Sequence, residues 1–245
     1  MLSNFPEMKR HIPNLITILN LCSGFIAILF VLSGQYSIAL ILMLIAAVFD
    51  FLDGTAARLL KAQSPIGVQL DSLADMISFA LLPAMMVFSL LDLGLLFQEK
   101  LDLASWNFVH FLSLALVLLI PSMAALRLAR FNIQEENSYF FGLPTPAFAM
   151  FWTGIYYDIF VSQSIFHAEV GSWFFVVVMV FTALLMIIPL PMLSLKFGNF
   201  RLFPNFSRYL LLVLSALILV FTGVAGLPLV ILTYILLSLV RILLT

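Results

Sequence analysis

The sequence predicts an all-α, polytopic membrane protein, a bundle of about eight transmembrane helices with both termini in the cytoplasm. Three observations carry that prediction. Hydrophobic residues make up 64% of the chain and charged residues 9%, and the mean hydropathy is strongly positive, which excludes an ordinary soluble domain. The apolar sequence divides into runs of about 20 residues, the length that crosses a bilayer as a helix. Basic residues then gather at one set of run ends, as cytoplasmic loops require.

Residues 1–12 (MLSNFPEMKRHI) mix Phe5, Met8 and Ile12 with Lys9, Arg10 and His11, and read as a short interfacial helix or a frayed tail. No small-residue cleavage site follows, so the next apolar run is expected to be a retained span rather than a signal peptide. The expected spans are 13–33, 37–60, 66–91, 107–130, 144–162, 172–194, 207–223 and 227–244. Gly and polar residues at Ser33–Tyr36 and Thr222–Leu227 suit turns between antiparallel helices. The outer loops, 92–106 and 158–171, carry Asp92, Asp102, Trp106, Asp158, His167 and Glu169 and read as ordinary solvated loop.

With the N-terminus inside, one set of ends holds Lys9, Arg10, Arg58, Lys61, Arg127, Arg130, Lys196, Arg201, Arg208 and Arg241. The other set holds only Lys100. That asymmetry sets the orientation and fixes the span count as even. A net charge of −1 gives no sign of nucleic-acid binding, and the lone Cys22 cannot form an internal disulfide.

One stretch stands apart. Asp50 to Asp75 (DFLDGTAARLLKAQSPIGVQLDSLAD) holds four of the twelve carboxylates and lies between long apolar runs. Ionisable groups within membrane-length segments are costly, and four on two adjacent segments call for a common cation. Asp50 and Asp53 are three residues apart and Asp71 and Asp75 four, so each pair projects from one helix face. Ser64 as N-cap and Pro65 in the first turn would restart the chain as a second, antiparallel helix. The carboxylate faces can then converge near the cytoplasmic boundary. Hard oxygen ligands in that number suit Mg²⁺ or Mn²⁺. Gly54 and Ala57 share the face of Asp50 and Asp53. Small residues there either let helices pack closely or leave room for a ligand, and beside four carboxylates the second reading is expected. Arg58 can pair with phosphate or with an Asp, and Gly67 keeps the start of the next helix bare.

The pattern D-x2-D-G-x2-A-R-x8-G-x3-D-x3-D is met in full by Asp50, Asp53, Gly54, Ala57, Arg58, Gly67, Asp71 and Asp75. It resembles the signature of the CDP-alcohol phosphotransferase family. The resemblance covers the first six spans, implying a catalytic core over 13–194 with two additional spans over 195–245. It implies an integral membrane enzyme that moves a substituted phosphoryl group from a CDP-linked donor to an alcohol, releasing CMP, with the active site facing the cytoplasm. Carried over residue by residue, Asp50, Asp53 and Asp71 would ligate divalent metal, and Asp75 would complete a two-metal site or act as base. Gly54, Ala57 and Gly67 would border the nucleotide, with Arg58 on a phosphate or the acceptor side. A homodimer is implied as well.

Two further stretches bear on the acceptor. The start, HIPNLITILNLCSGFIAI from His11, and RLARFN (Arg127 to Asn132) with FGLPTPA (Phe141 to Ala147) are similar to the phosphatidylserine synthase branch of that family. This implies CDP-diacylglycerol and L-serine as substrates, with Asn14 and Thr17 helping to hold the cytidine. Arg127 and Arg130 lie three apart on one face and read either as topology anchors or as the cation that receives the serine carboxylate. Pro144 and Pro146 are expected to set the start of span five. His11, His110 and His167 share no helix face with a carboxylate. Two rival readings stand beside this one. The same chemistry could serve glycerol 3-phosphate or an inositol phosphate, although Lys61 is the only further cation near Arg58. A cation transporter could use the Asp cluster, but a transporter would be expected to show a second, repeated half.

Overall fold

The structure is a computed structural model that describes residues 5–91, 106, 108–133, 141–162, 172–193, 201 and 203–244. Among them every regular element is helical, and one isolated antiparallel bridge joins Phe141 to Pro191. Helix α1 is Phe5–Leu32, α2 is Tyr36–Leu59, and α3 is Pro65–Leu90. Helix α4 spans Phe108–Ile133, loosened at Leu118, and α5 is Thr145–Tyr157. Helix α6 is Ser172–Leu185, α7 is Phe206–Thr222 and α8 is Leu227–Leu244. Among the described residues, five segments are long and apolar enough to cross a membrane: His11–Leu32, Tyr36–Leu59, Pro65–Leu90, Phe108–Ile133 and Phe206–Arg241. The last contains both α7 and α8, parted by a 3₁₀ turn at Gly223–Gly226 that begins with a positive φ of 59° at Gly223. The protein is thus a helical membrane protein.

Helix α1 runs unbroken through Pro13, so residues 5–12 continue the first helix. It ends as the hydrogen-bonding pattern of a Schellman cap predicts, with Gln35 N–H on the Phe30 carbonyl (2.9 Å) and Gly34 left-handed at φ 72°. Helix α2 ends in the same way, with Ala62 N–H on the Ala57 carbonyl (2.9 Å). Here the left-handed residue is Lys61, at φ 51°. Ser64 then caps α3 through its hydroxyl, which accepts from Gly67 N–H at 3.0 Å, and Pro65 takes the first turn. The corner expected at Ser64-Pro65 is therefore present, and it holds α2 and α3 as antiparallel neighbours.

Helix α3 is the axis of the bundle. In it 67% of the membrane-length window is buried, against 17–33% in the other four segments, so those four turn their apolar faces to lipid. Directly after Asp75, α3 widens into a π-helical turn, Met76–Leu81. Pro83 accounts for the widening: it has no N–H to give the Phe79 carbonyl, and its ring crowds that carbonyl. Ser78, Phe79, Ala80, Leu82, Met86 and Val87 are fully buried. Helix α1 crosses α3 closely here, since a Cβ at Gly24 would collide with Ser78.

Helix α5 packs between α3 and α8. Trp152 Nε1 donates to Thr182 Oγ1 of α6 at 3.2 Å, and a Cβ at Gly154 would run into Pro228 and Leu227 at the start of α8. Pro144 occupies the N-cap of α5 and Pro146 its first turn, as expected. One expectation is corrected. Trp106 and Asp158 are buried, at 9% and 0% exposure, rather than solvated. The reason at Asp158 is that α5 runs on as a π turn, Asp158–Ser162, which keeps it within the helix, and the same stretch carries an aromatic cluster. Phe160 stacks on Tyr36 at 4.1 Å, and Tyr156 meets both rings edge-on. At Trp106 the ring packs edge-on against Phe111 (5.3 Å). Lys9 and Arg10 lie on the first turns of α1, while Asp92, Lys100, Asp102, His167, Glu169 and Lys196 lie outside the described residues.

Candidate active site

The last three turns of α2 carry Asp50 and Asp53, and the first three turns of α3 carry Asp71 and Asp75. The capped corner between the helices brings these faces together. Asp50, Asp53 and Asp71 each present a carboxylate oxygen, and all three oxygens lie within 4.8 Å of one another. Asp53 is buried and the other two half-buried. Asp75 sits one turn deeper, 8% exposed, within hydrogen-bonding reach of Asp50. Asp53 Oδ2 and Asp75 Oδ1 are buried without a hydrogen-bond partner. Two unit charges at this separation repel by about 3 kcal/mol at an effective dielectric of about 20. The guanidinium of Arg127 bears on Asp75, the deepest of the four carboxylates. A divalent ion with oxygen ligands answers both the repulsion and the orphaned oxygens, so the residues fit the metal that the sequence suggests.

The residues expected to border a nucleotide surround this cluster unevenly. Thr17 of α1 is 3% exposed, donates to the Pro13 carbonyl at 3.0 Å, and lies within reach of Asp53. It therefore sits against a candidate metal ligand. Asn14 is half-buried at the start of α3, where a Cβ on Gly67 would come within 3.2 Å of its Oδ1 and 3.1 Å of the Ser64 hydroxyl. The bareness of Gly67 is thus used by Asn14 and the Ser64 cap. Gly54 differs: a Cβ there would meet nothing within 4 Å, so no described helix packs against it. Ala57 is half-buried beside it. Arg58 is exposed and donates to Thr55 Oγ1 at 3.5 Å.

On the far side of Asp75 stands a second group of side chains. Arg127 is half-buried, gives one N–H to Thr145 Oγ1 at 3.1 Å, and keeps its Nε without a partner. Arg130 is exposed and reaches the Ile187 carbonyl at 3.5 Å. Both line one cleft of about 190 Å³, closed by Phe131, Phe141, Met186, Ile187 and Pro189. The end of α4 is stitched to α3 beside Asp71, where Ser72 Oγ donates to Asn132 Oδ1 at 3.1 Å and Asn132 Nδ2 donates to Gln69 at 3.4 Å. The cleft and the carboxylate cluster are therefore adjacent, with Asp75 and Arg127 between them.

Sequence reasoning passes over four residues here. Thr145 holds Arg127 but reads only as a helix start. Asn20, one turn past Thr17, is fully buried with both amide atoms unpartnered, and an amide in an apolar run is a signal that could have flagged it. Tyr234 and Ser238 of α8 are four apart on one face and reach the cleft wall from the end of the chain.

Comparison with known proteins follows the same lines. The chain matches the family model for CDP-alcohol phosphatidyltransferase over residues 10–188, which include all twelve expected site residues. It is 30% identical over 215 residues to the CDP-diacylglycerol–serine O-phosphatidyltransferase of Mycobacterium tuberculosis, covering 83% of this chain and 68% of that protein. It is 34% identical over 155 residues to the archaetidylserine synthase of Methanothermobacter thermautotrophicus, covering 62% and 60%. With the Saccharomyces cerevisiae CDP-diacylglycerol–serine O-phosphatidyltransferase it shares 34% identity over 174 residues, covering 64% and 57%. The chain spans about half to two thirds of the length of these and the other curated relatives it matches.

Proposed function

The chain belongs to the CDP-alcohol phosphatidyltransferase family, and on that premise we propose that it transfers the phosphatidyl group of CDP-diacylglycerol to the hydroxyl of L-serine, giving phosphatidylserine and CMP. The observation that carries the reading is the adjacency of two sites. A carboxylate triad suited to a divalent cation lies beside a cleft lined by two arginines, with Asp75 where they meet. Two of the relatives above are named serine O-phosphatidyltransferases and the third an archaetidylserine synthase, which favours serine over a phosphorylated alcohol.

In this reading Asp50, Asp53 and Asp71, joined by Asp75, hold Mg²⁺ or Mn²⁺, two ions in all. Bound there, the metal would neutralise the donor pyrophosphate and the charge left on departing CMP. The open face at Gly54 and Ala57 receives the nucleotide against the α2 backbone, with Arg58 on a phosphate and Asn14, Thr17 and Gly67 at its border. Arg127, with Nε still free, takes the serine carboxylate, and Arg130 flanks it at the cleft rim. Asp75 accepts the proton of the serine hydroxyl as its oxygen bonds to the phosphatidyl phosphorus and the bond to CMP breaks.

The same proposal includes eight spans, with α7 and α8 crossing separately after a six-span core over 13–194. It puts both termini and the Asp cluster on the cytoplasmic side, and it takes the working form as a homodimer. The apolar flanks of α2 and α3 suit the donor's acyl chains: Phe51, Leu59, Ile66 and Leu73 are all exposed beside the cluster. The test is CMP release by purified protein given CDP-diacylglycerol with serine, glycerol 3-phosphate or inositol in turn. Release that depends on serine supports the reading, and release driven by another alcohol in its place overturns the acceptor.

A further inference from the structure

We propose that the C-terminal helix completes the acceptor cleft, with Tyr234 and Ser238 as positioning residues that hold its wall and so set the affinity for serine. Helix α8 lies outside the stretch matched by the family model, which ends at residue 188. Yet it grips the chain just beyond that point. Tyr234, 7% exposed, donates its hydroxyl to the Leu193 carbonyl at 3.2 Å. Ser238, 1% exposed, accepts from Leu193 N–H at 3.1 Å and donates to the Tyr234 carbonyl at 2.7 Å. Both backbone groups of one residue are thus satisfied by two side chains a single turn apart, which fixes that segment against α8 at two points.

The segment so held runs directly on from the cleft wall, four residues past Pro189. Pro191 bridges to Phe141, Gly142 N–H donates to the Leu190 carbonyl at 2.9 Å, and Leu143 N–H donates to the Leu185 carbonyl at 2.9 Å. Gly142 is left-handed at φ 74°, and a Cβ there would strike the Met186 carbonyl, so the 141–143 and 185–191 strips are locked together. Phe141, Met186, Ile187 and Pro189 are the same residues that face Arg127 and Arg130 across the cleft. Tyr234 also lies near Arg127. The hydroxyls of α8 therefore hold the strip that carries the wall. A wall free to move would leave Arg127 without a fixed partner surface, and a bidentate contact depends on fixed geometry.

This inference rests on the reading of Arg127 as the acceptor's cation, and the experiment separates the two. Tyr234→Phe and Ser238→Ala, in the full chain, are assayed with Arg127→Lys for the KM of serine, the KM of CDP-diacylglycerol, kcat and thermal stability. Each α8 variant should raise the KM for serine about three- to tenfold, the usual weight of one hydrogen bond, and leave that for CDP-diacylglycerol within about twofold. If Arg127→Lys raises the serine KM but neither α8 variant does, the inference is overturned and the acceptor reading stands. If Arg127→Lys leaves the serine KM unchanged, the acceptor reading itself fails. An equal loss for both substrates in step with thermal stability also overturns the inference, because α8 would then be a structural prop alone. Should Tyr234→Phe not yield folded protein, Ser238→Ala decides by the same criteria.

Discussion

At the scale of single residues, the cluster is governed by the cost of gathering negative charge where water is scarce. Three carboxylates within 4.8 Å, two of them half-buried and one buried, hold together as ionised groups only with a cation among them. Activity should therefore vanish in excess chelator and return with added Mg²⁺ or Mn²⁺; full turnover under chelation would remove metal from the proposal. Asp50→Asn, Asp53→Asn and Asp71→Asn keep size and shape but drop the charge, and each should lower the rate by at least about a hundredfold while the protein still inserts. Gly54 poses a separate question, whether its bareness serves packing or a ligand. Its Cβ direction is open for 4 Å, so Gly54→Leu should hold thermal stability or raise it by up to about 1 kcal/mol, leucine being the better helix former. The same variant should lose binding of CDP-diacylglycerol. A fall in stability would return Gly54 to a packing role. The Asp cluster was legible in the sequence because its logic is local, with spacings of three and four residues across one corner. Thr145, Tyr234 and Ser238 were not, since each acts on a partner 18 to 45 residues away and nothing nearby in sequence marks the pairing.

At the scale of elements, the corner between α2 and α3 sets the registry of the site. Ser64 and Pro65 announced the start of α3, because a capping hydroxyl followed by proline has few other uses. The end of α2 gave no such sign: no glycine occurs between Leu59 and Gln63, and the left-handed position falls to Lys61 at φ 51°. A side chain in that conformation costs about 1 kcal/mol. Lys61→Gly should therefore raise stability by up to about that amount, read as the thermal midpoint in detergent, unless the ammonium serves the site. A stabilised variant with a weakened donor KM would assign Lys61 to phosphate binding; one with unchanged kinetics would make it a cap alone. The π turn after Asp75 was equally hidden, since hydrophobic periodicity cannot register one residue's widening in a helix buried on all sides. Pro83, the cause of that turn, carries no mark in the sequence that separates it from a proline simply tolerated within a span. Asp158 was misread for a related reason. Sequence places it where the expected span 144–162 overlaps the expected loop 158–171, and the π turn Asp158–Ser162 carries the helix on through that overlap with Asp158 inside.

At the scale of the whole molecule, the outstanding question is how many times the chain crosses and which way it faces. Five segments meet the length for crossing, and the fifth, of 36 residues, is longer than one crossing needs. Its division at Gly223–Gly226 makes two helices of 17 and 18 residues, each close to one bilayer thickness. Hydropathy shows such a hairpin as one block, because a turn of Gly, Val and Ala is as apolar as the helices it joins. The proposed orientation puts the corner at Gln63 in the cytoplasm, and the turns at Gln35 and Val224 on the opposite side. The natural cysteine, Cys22, is exposed on α1 and would be replaced first by alanine. Single cysteines at Gln35, Gln63 and Val224 can then be probed in intact cells with a membrane-impermeant maleimide. Gln35→Cys and Val224→Cys should label from outside, and Gln63→Cys only after the membrane is opened. Labelling of Gln63→Cys in intact cells would turn the active site outward, away from the cytoplasmic pool of nucleotide. Val224→Cys that labels only in opened membranes, while Gln35→Cys labels in intact cells, would overturn the eight-span count and put α7 and α8 on the same side as the metal cluster. In that case α8 could still pack on α5, and Arg208 and Arg241 would keep their cytoplasmic place without α7 and α8 crossing.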